Sequence, residues 1–393
     1  MQEKMYNFDE IIERRGTNSY KYDLLNEVFG RDDLLSLWVA DMDFKTPDFI
    51  VEALKKACEQ GVLGYSKINE SYYDSVIKWV KRRHQWDVER DWISYMPGVV
   101  KGIAYAILHF TQPGDKVIIQ PPVYHPFRLV PESMNRTIVN NPLRLTDKGY
   151  EMDFDNLRQV ITPECKMLIM SSPHNPGGIV WSKETLCQLA EICAEHHILV
   201  VSDEIHSEMT FPGITHHPFA SVSETAKHNS ITFMAPSKTF NIPGTVTSYC
   251  IVPDQKLRES FFDFLSSKHF NSGTIFSYVA AETAYTQGDA WLKQMLTYVK
   301  ANLDYVTEYC HANLESIQVY QPRASFLVWL DCRQLGLNQK DLIDLFVNKA
   351  HLALNEGTMF GPGGEGFMRL NIGCPRSILK KAMNSLKCSL HNK

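Results

Sequence analysis

Ile231-Thr232-Phe233-Met234-Ala235-Pro236-Ser237-Lys238-Thr239-Phe240-Asn241-Ile242-Pro243-Gly244 is a short apolar run that breaks into a polar turn. A few apolar residues bounded by turn formers read as a strand buried on both faces. Lys238 follows that strand directly. A lysine held near a sheet edge, rather than on a polar helix face, loses its proton more readily and can then form an imine with a carbonyl. For this stretch alone a solvated turn lysine is the commoner arrangement, so the surrounding chain has to decide.

Working outward, the same strand-then-loop pattern recurs upstream. Val117-Ile118-Ile119, Met167-Leu168-Ile169-Met170 and Ile198-Leu199-Val200-Val201 are further buried-strand candidates. Helical runs lie between them. The clearest spans Ser182 to His197, with Leu186, Leu189, Ala190, Cys193 and Ala194 on one face and Ser182 as its N-cap. Alternating strands and helices predict an α/β domain with a mostly parallel sheet. Helical runs near 47–60 and 69–85 precede it. After it come a helix from Trp291 to Asn313, a strand over Phe326-Leu327-Val328-Trp329-Leu330, a helix from Gln339 to Lys349 and a last helix from Arg376 to Leu390. The expected division is a large domain over 46–288, flanked by a small α/β domain built from both termini, 1–45 and 289–393.

Each strand candidate is followed by a loop with chemistry to offer. Asp203, in Val200-Val201-Ser202-Asp203-Glu204-Ile205-His206, ends a strand where carboxylates of open parallel sheets sit. An anion there can keep a pyridinium nitrogen protonated; a turn or cap aspartate is the plainer alternative. Asn175, in Ser171-Ser172-Pro173-His174-Asn175-Pro176-Gly177-Gly178, lies in strong turn chemistry and can donate to a phenolate oxygen without adding charge. Tyr124, in Pro122-Val123-Tyr124-His125-Pro126, can lie flat on an aromatic ring. Gly98 in Pro97-Gly98-Val99-Val100 opens a helix expected to run to Phe110, whose free N–H groups and dipole suit a phosphate. Arg369, in Arg369-Leu370-Asn371-Ile372-Gly373, can clamp a carboxylate or make a surface ion pair.

Composition excludes several other classes. A chain of 393 residues buries roughly three-quarters of its unfolded surface and needs no disulfide or metal staple. A net charge of −5, from 40 basic and 45 acidic residues, gives no field for nucleic acid or anionic lipid. No run reaches the ~18 apolar residues of a membrane helix. Met1 to Glu10 lacks the pattern of a secretory signal, so a cytoplasmic location is expected. Nine cysteines without a C-x-x-C pair, among them Cys187, Cys193 and Cys250 in apolar surroundings, read as buried free thiols. His196-His197 and His216-His217 lack metal spacing and are expected in structural or surface roles, with no metal site. Phe261-Phe262-Asp263-Phe264-Leu265 reads as core or dimer contact. No G-x-G-x-x-G follows a strand, which removes a dehydrogenase; Gly361-Pro362-Gly363-Gly364 comes too late and out of context.

Taken together, the order glycine turn and helix, aromatic, Asn-Pro-Gly-Gly, Asp, Ser-Lys, Arg resembles the fold type I enzymes that use pyridoxal 5'-phosphate (PLP). The resemblance covers nearly the whole chain. It implies covalent attachment of PLP to Lys238, Asp203 beside the ring nitrogen, Asn175 near the ring phenolate, Tyr124 stacked on the ring and Arg369 on the substrate carboxylate. It further implies phosphate contacts from the Val99 and Val100 amides and Ser237. Tyr65, in Leu63-Gly64-Tyr65, is similar to the tyrosine that reaches the phosphate of a neighbouring subunit, so a homodimer with shared active sites is expected.

Within that group the chain is most similar to the aminotransferase-like carbon–sulfur β-lyases, the MalY/PatB type of cystathionine β-lyase. The similar segments are Phe8 to Ser19, Trp38-Val39-Ala40-Asp41-Met42-Asp43-Phe44, Asp203 to His206, His217-Pro218-Phe219-Ala220-Ser221 and Ala235 to Asn241. His206 stands where aspartate aminotransferases have tyrosine, and Ala235 where they often have serine. Val246 replaces a phosphate-binding arginine, which leaves the phosphate less charge-neutralised. The resemblance implies α,β-elimination from a sulfur amino acid, with Lys238 as base, Asn175 helping to orient the carboxylate and Tyr124 or His125 assisting the leaving sulfur. An aminotransferase using the same lysine is the nearest alternative, and a PLP protein with a regulatory binding role is one of another class.

Overall fold

The computed structural model describes residues 4–146 and 149–391. The apolar runs assemble into one seven-stranded sheet. Its spatial order is Ile93–Met96, Ser248–Ile251, Ser230–Met234, Leu199–Asp203, Cys165–Ser171, Lys116–Ile119 and Thr137–Asn140. The four ladders from Ser230–Met234 across to Thr137–Asn140 are parallel, while Ser248–Ile251 runs antiparallel to both of its neighbours. The α/β class with a mostly parallel sheet is thus present as the sequence predicts.

Side chains alternate across a strand, and here both faces are apolar. Ile118, Leu168, Met170 and Val200 join one core cluster with Leu186, Leu189, Ala190 and Cys193 of the Lys183–Glu195 helix. Val117, Ile119, Met167, Ile169, Val201, Ile231 and Phe233 join the opposite one with Ile103, Ala106 and Ile107 of the Val99–Phe110 helix. Ser182 caps its helix as predicted, its hydroxyl accepting from the Thr185 N–H at 3.2 Å.

The second sheet has four antiparallel strands in the order Gln318–Val319, Leu327–Asp331, Phe367–Asn371, Asn355–Glu356. Two long helices, Asp289–Asn313 and Arg376–His391, pack on each other beside it. Residues from the amino terminus join this part of the chain: Leu35–Ser36 pairs in parallel with Leu352–Ala353. The predicted helix over Gln339 to Lys349 is α-helical only to Asp344 and continues as a π-turn over Leu345–Lys349.

Two sequence expectations need correction. All nine cysteines are free, but Cys58 and Cys388 are exposed and Cys187 is half-buried, so the buried-thiol description holds for the other six. The strands Ile93–Met96, Thr137–Asn140 and Ser248–Ile251 carry no clear signal. Each has only four residues with polar side chains among them, and Thr137–Asn140 lies at the half-exposed sheet edge. Among the described residues no helix is long and apolar enough to cross a membrane. In the Phe261–Leu265 stretch, Phe261 and Leu265 are core residues.

Helix and sheet approach closely at Gly102. A Cβ built there would stand 2.4 Å from the buried Phe233 ring. Gly102→Ala is therefore expected to destabilise the protein by about 1–3 kcal/mol through overpacking, measured as a lowered urea midpoint at unchanged slope; an unchanged midpoint would contradict this packing.

Candidate active site

Because the ladders run parallel, the loops after successive strands emerge at one sheet edge, where open α/β sheets place their ligand sites. They surround a cavity of about 260 Å³. Its walls include Ala40, Gly98, Val99, Val100, Lys101, Tyr124, Asn175, Asp203, His206, Ser237, Lys238, Val246 and Thr247. Most residues singled out from the sequence therefore converge here, from segments far apart in the chain.

Lys238 donates from Nζ to the Ala40 carbonyl at 2.7 Å. Burial brings its ammonium down to about 8, with Asp41 pulling the other way. Ala40 belongs to a strap, Trp38 to Phe44, fastened by donors from several directions. Asn241 Nδ2 reaches the Met42 and Phe44 carbonyls, each at 2.8 Å. Arg14 binds Asp41 at 2.6 Å and Asp43 at 2.7 Å, and the fully buried Lys21 binds Asp43 at 2.8 Å. The two cations and two carboxylates offset one another, so the strap is held without net buried charge.

Asp203 ends its strand as predicted. One carboxylate oxygen accepts the Ile205 N–H at 3.1 Å, and burial raises the acid to about 7. A buried carboxylate so sparsely partnered suits a cationic ring nitrogen. His206 is buried against Phe326, its Nδ1 3.3 Å from the Ser325 hydroxyl; burial lowers it to about 3, so it is neutral. Asn175 ties the loops together. Its carbonyl accepts the Tyr124 N–H at 3.1 Å and its Oδ1 accepts from Arg369 Nη1 at 3.1 Å. With Oδ1 so engaged, the amide nitrogen is left as the donor. Tyr124 lines the cavity, and burial raises its hydroxyl.

At the far end, Gly98 adopts φ +110° and supplies no side-chain cap to the Val99–Phe110 helix. Val99, Val100 and Lys101, the first turn of that helix, line the cavity, and their amides lack intrahelical partners at the positive end of the helix dipole. Gly98 N–H itself is engaged by the Ser248 hydroxyl at 3.1 Å. Val246 lies here in the left-handed region, φ +52°, where it brings no charge; Lys101 is a further residue of the cavity wall.

Three sequence candidates lie off the cavity wall. Arg369 is buried just behind Asn175, and burial lowers it to about 10, which leaves it a cation. His125 lines a small neighbouring cleft with Arg128, Phe360 and Gly361, which Tyr124 also borders, and burial lowers it to about 4. Tyr65 is fully exposed. Outside the cavity, His216 is buried and binds Glu204 at 2.7 Å, a structural partner as expected. Sequence reading missed Ala40, Lys101 and Thr247. Lys101 had a local signal in its place one residue after the phosphate-type amides; Ala40 and Thr247 have none.

The donor set fits PLP: an anion-accepting helix end, a lysine amine of lowered basicity, an amide donor and a buried carboxylate in one cavity. This is the site of a PLP enzyme of fold type I. The chain belongs to the class I and II aminotransferase family, whose pattern matches residues 32–386. It is 41% identical to cystathionine β-lyase PatB of Bacillus subtilis (strain 168), over 98% of this chain and 100% of that one. Its structure is similar to that of cystalysin from Treponema denticola, which contains PLP, with TM-score 0.95, 35% identity and coverage of 99% and 100%. It is also similar to the PLP-bound C–S lyase from Staphylococcus hominis, with TM-score 0.91, 30% identity and 99% of each chain covered.

Attachment of PLP requires the neutral amine. With Lys238 near 8 instead of its ordinary 10.5, the rate at which apoprotein takes up PLP is expected to rise with pH and level off above about pH 9. Stopped-flow absorbance across that range checks this; a rate still climbing at about pH 10 would contradict the lowered amine.

Proposed function

We propose that the protein is a PLP-dependent carbon–sulfur β-lyase acting on cystathionine or related cysteine S-conjugates by α,β-elimination. With uptake of one water, cystathionine yields homocysteine, pyruvate and ammonia. The fold and the lysine are common to lyases and aminotransferases. The observation that carries the lyase reading is the full-length 41% identity to PatB.

When bound, the coenzyme supplies an aldehyde for the substrate amine and a ring that accepts the electron pair of a broken Cα bond. The free Lys238 amine would take the Cα proton; an amine near 8 is well matched to that task at neutral pH. Asp203 keeps the proton on the ring nitrogen, and a cation opposite it offsets the burial that otherwise raises its acid. Asn175 would donate to the ring oxygen. Arg369 receives the α-carboxylate and so fixes which Cα bond faces Lys238. Tyr124 is the proposed proton donor to the departing sulfur, because it lines the cavity and burial keeps its hydroxyl protonated, whereas His125 lines the neighbouring cleft. The Val99 and Val100 amides and Ser237 would hold the phosphate.

The working unit is proposed to be a cytoplasmic homodimer in which Tyr65, fully exposed on the single chain, completes the partner's phosphate site. The large domain is taken as 46–288 and the small one as 1–45 with 289–393.

Incubation with cystathionine and no added 2-oxo acid is expected to release thiol and pyruvate in equal amounts. Lys238→Ala is expected to lack the visible coenzyme band and to lose at least about a thousandfold in turnover. Pyruvate release that depends on an added 2-oxo acid would mean an aminotransferase instead.

A further inference from the structure

Arg369 has an unusual set of partners for a buried cation. Buried charges are generally paired with an opposite charge, yet the three groups that hold this guanidinium are all neutral. Nη1 donates to the Asn175 side chain at 3.1 Å and Nη2 to the Trp38 carbonyl at 2.8 Å. Nη2 donates as well to the side-chain oxygen of Asn355. The Phe360 ring lies 5.1 Å from the guanidinium carbon. Nε is buried without a partner. Of five N–H donors, three are used and two remain.

Asn355 reaches its position through the ladder. It stands directly opposite Arg369 in the antiparallel pair of Asn355–Glu356 with Phe367–Asn371, so both side chains leave the small sheet on one face. We propose that Asn355 is a positioning residue for recognition of the substrate carboxylate: it fixes the Arg369 guanidinium by a neutral acceptor and so keeps the positive charge for the incoming anion. An aspartate there would make the same hydrogen bond and cancel that charge. An alanine would leave the guanidinium unfixed on one side. The inference rests on Arg369 being the carboxylate clamp.

The test uses holoenzyme and two probes that differ by a carboxylate, L-alanine and ethylamine, titrated by the change in the coenzyme band. Asn355→Asp is expected to weaken L-alanine at least about thirtyfold and Asn355→Ala about tenfold. Ethylamine is expected to stay within about twofold, and KM for cystathionine to rise with kcat little changed. Equal weakening of both probes would mean a merely structural role and would overturn the proposal. Arg369→Met is the control. If it weakens L-alanine selectively while both Asn355 variants bind normally, the proposal fails and the clamp stands. If it leaves L-alanine binding unchanged, the clamp and the proposal fail together. Asn355→Asp preserves size and hydrogen bonding, so it tests the charge argument even if Asn355→Ala does not fold.

Discussion

The parallel direction of the central ladders is the constraint on which the site depends. Parallel strands bring their carboxyl ends to one edge, so Tyr124, Asn175, Asp203 and Lys238 meet although they are spread over more than a hundred residues. The antiparallel strand Ser248–Ile251 fits the same plan from the other direction. Its amino end lies at that edge, opposite Met96, and there it delivers Val246, Thr247 and the Ser248 hydroxyl that engages Gly98. With both faces of the sheet covered by helices, the edge is the part of it left to receive a ligand.

A second set of contacts closes the site from the side. The Trp38–Phe44 strap accepts hydrogen bonds from Lys238 and Asn241 of the large-sheet part and from Arg369 and Asn371 of the small sheet. Breaking one partner of the Arg14, Lys21, Asp41 and Asp43 group would leave a buried charge unpaired, which costs more than the intact group contributes. The group thus works as a lock on geometry. The site spans two sheets, and what passes between them is a short run of peptide carbonyls.

Much of this was legible in the sequence, for definable reasons. Strands buried on both faces stand out as apolar runs, and residues directly after them must lie at the sheet edge. Lys238, Asp203, Asn175 and Tyr124 were readable on that ground, as was the Gly98 helix start. The strands at the other end of the sheet were not, since Ser248–Ile251 and Ile93–Met96 are short and carry polar residues. Ala40 contributes a carbonyl, which no residue type announces. Asn355 matters through its ladder register with Arg369, a relation fixed by the fold. Tyr124 and His125 show the same limit: Tyr124 borders both the main cavity and a small neighbouring cleft while His125 borders only the cleft, a difference set by the fold of the loop.

The proposed chemistry depends on the amine of Lys238 being the attachment point of the coenzyme. Reduction of the holoenzyme with borohydride, followed by peptide mapping by mass spectrometry, tests this directly. One reduced phosphopyridoxyl group per chain is expected, on the peptide that carries Lys238. A label on a different lysine, or none on a protein that still turns over cystathionine, would contradict it.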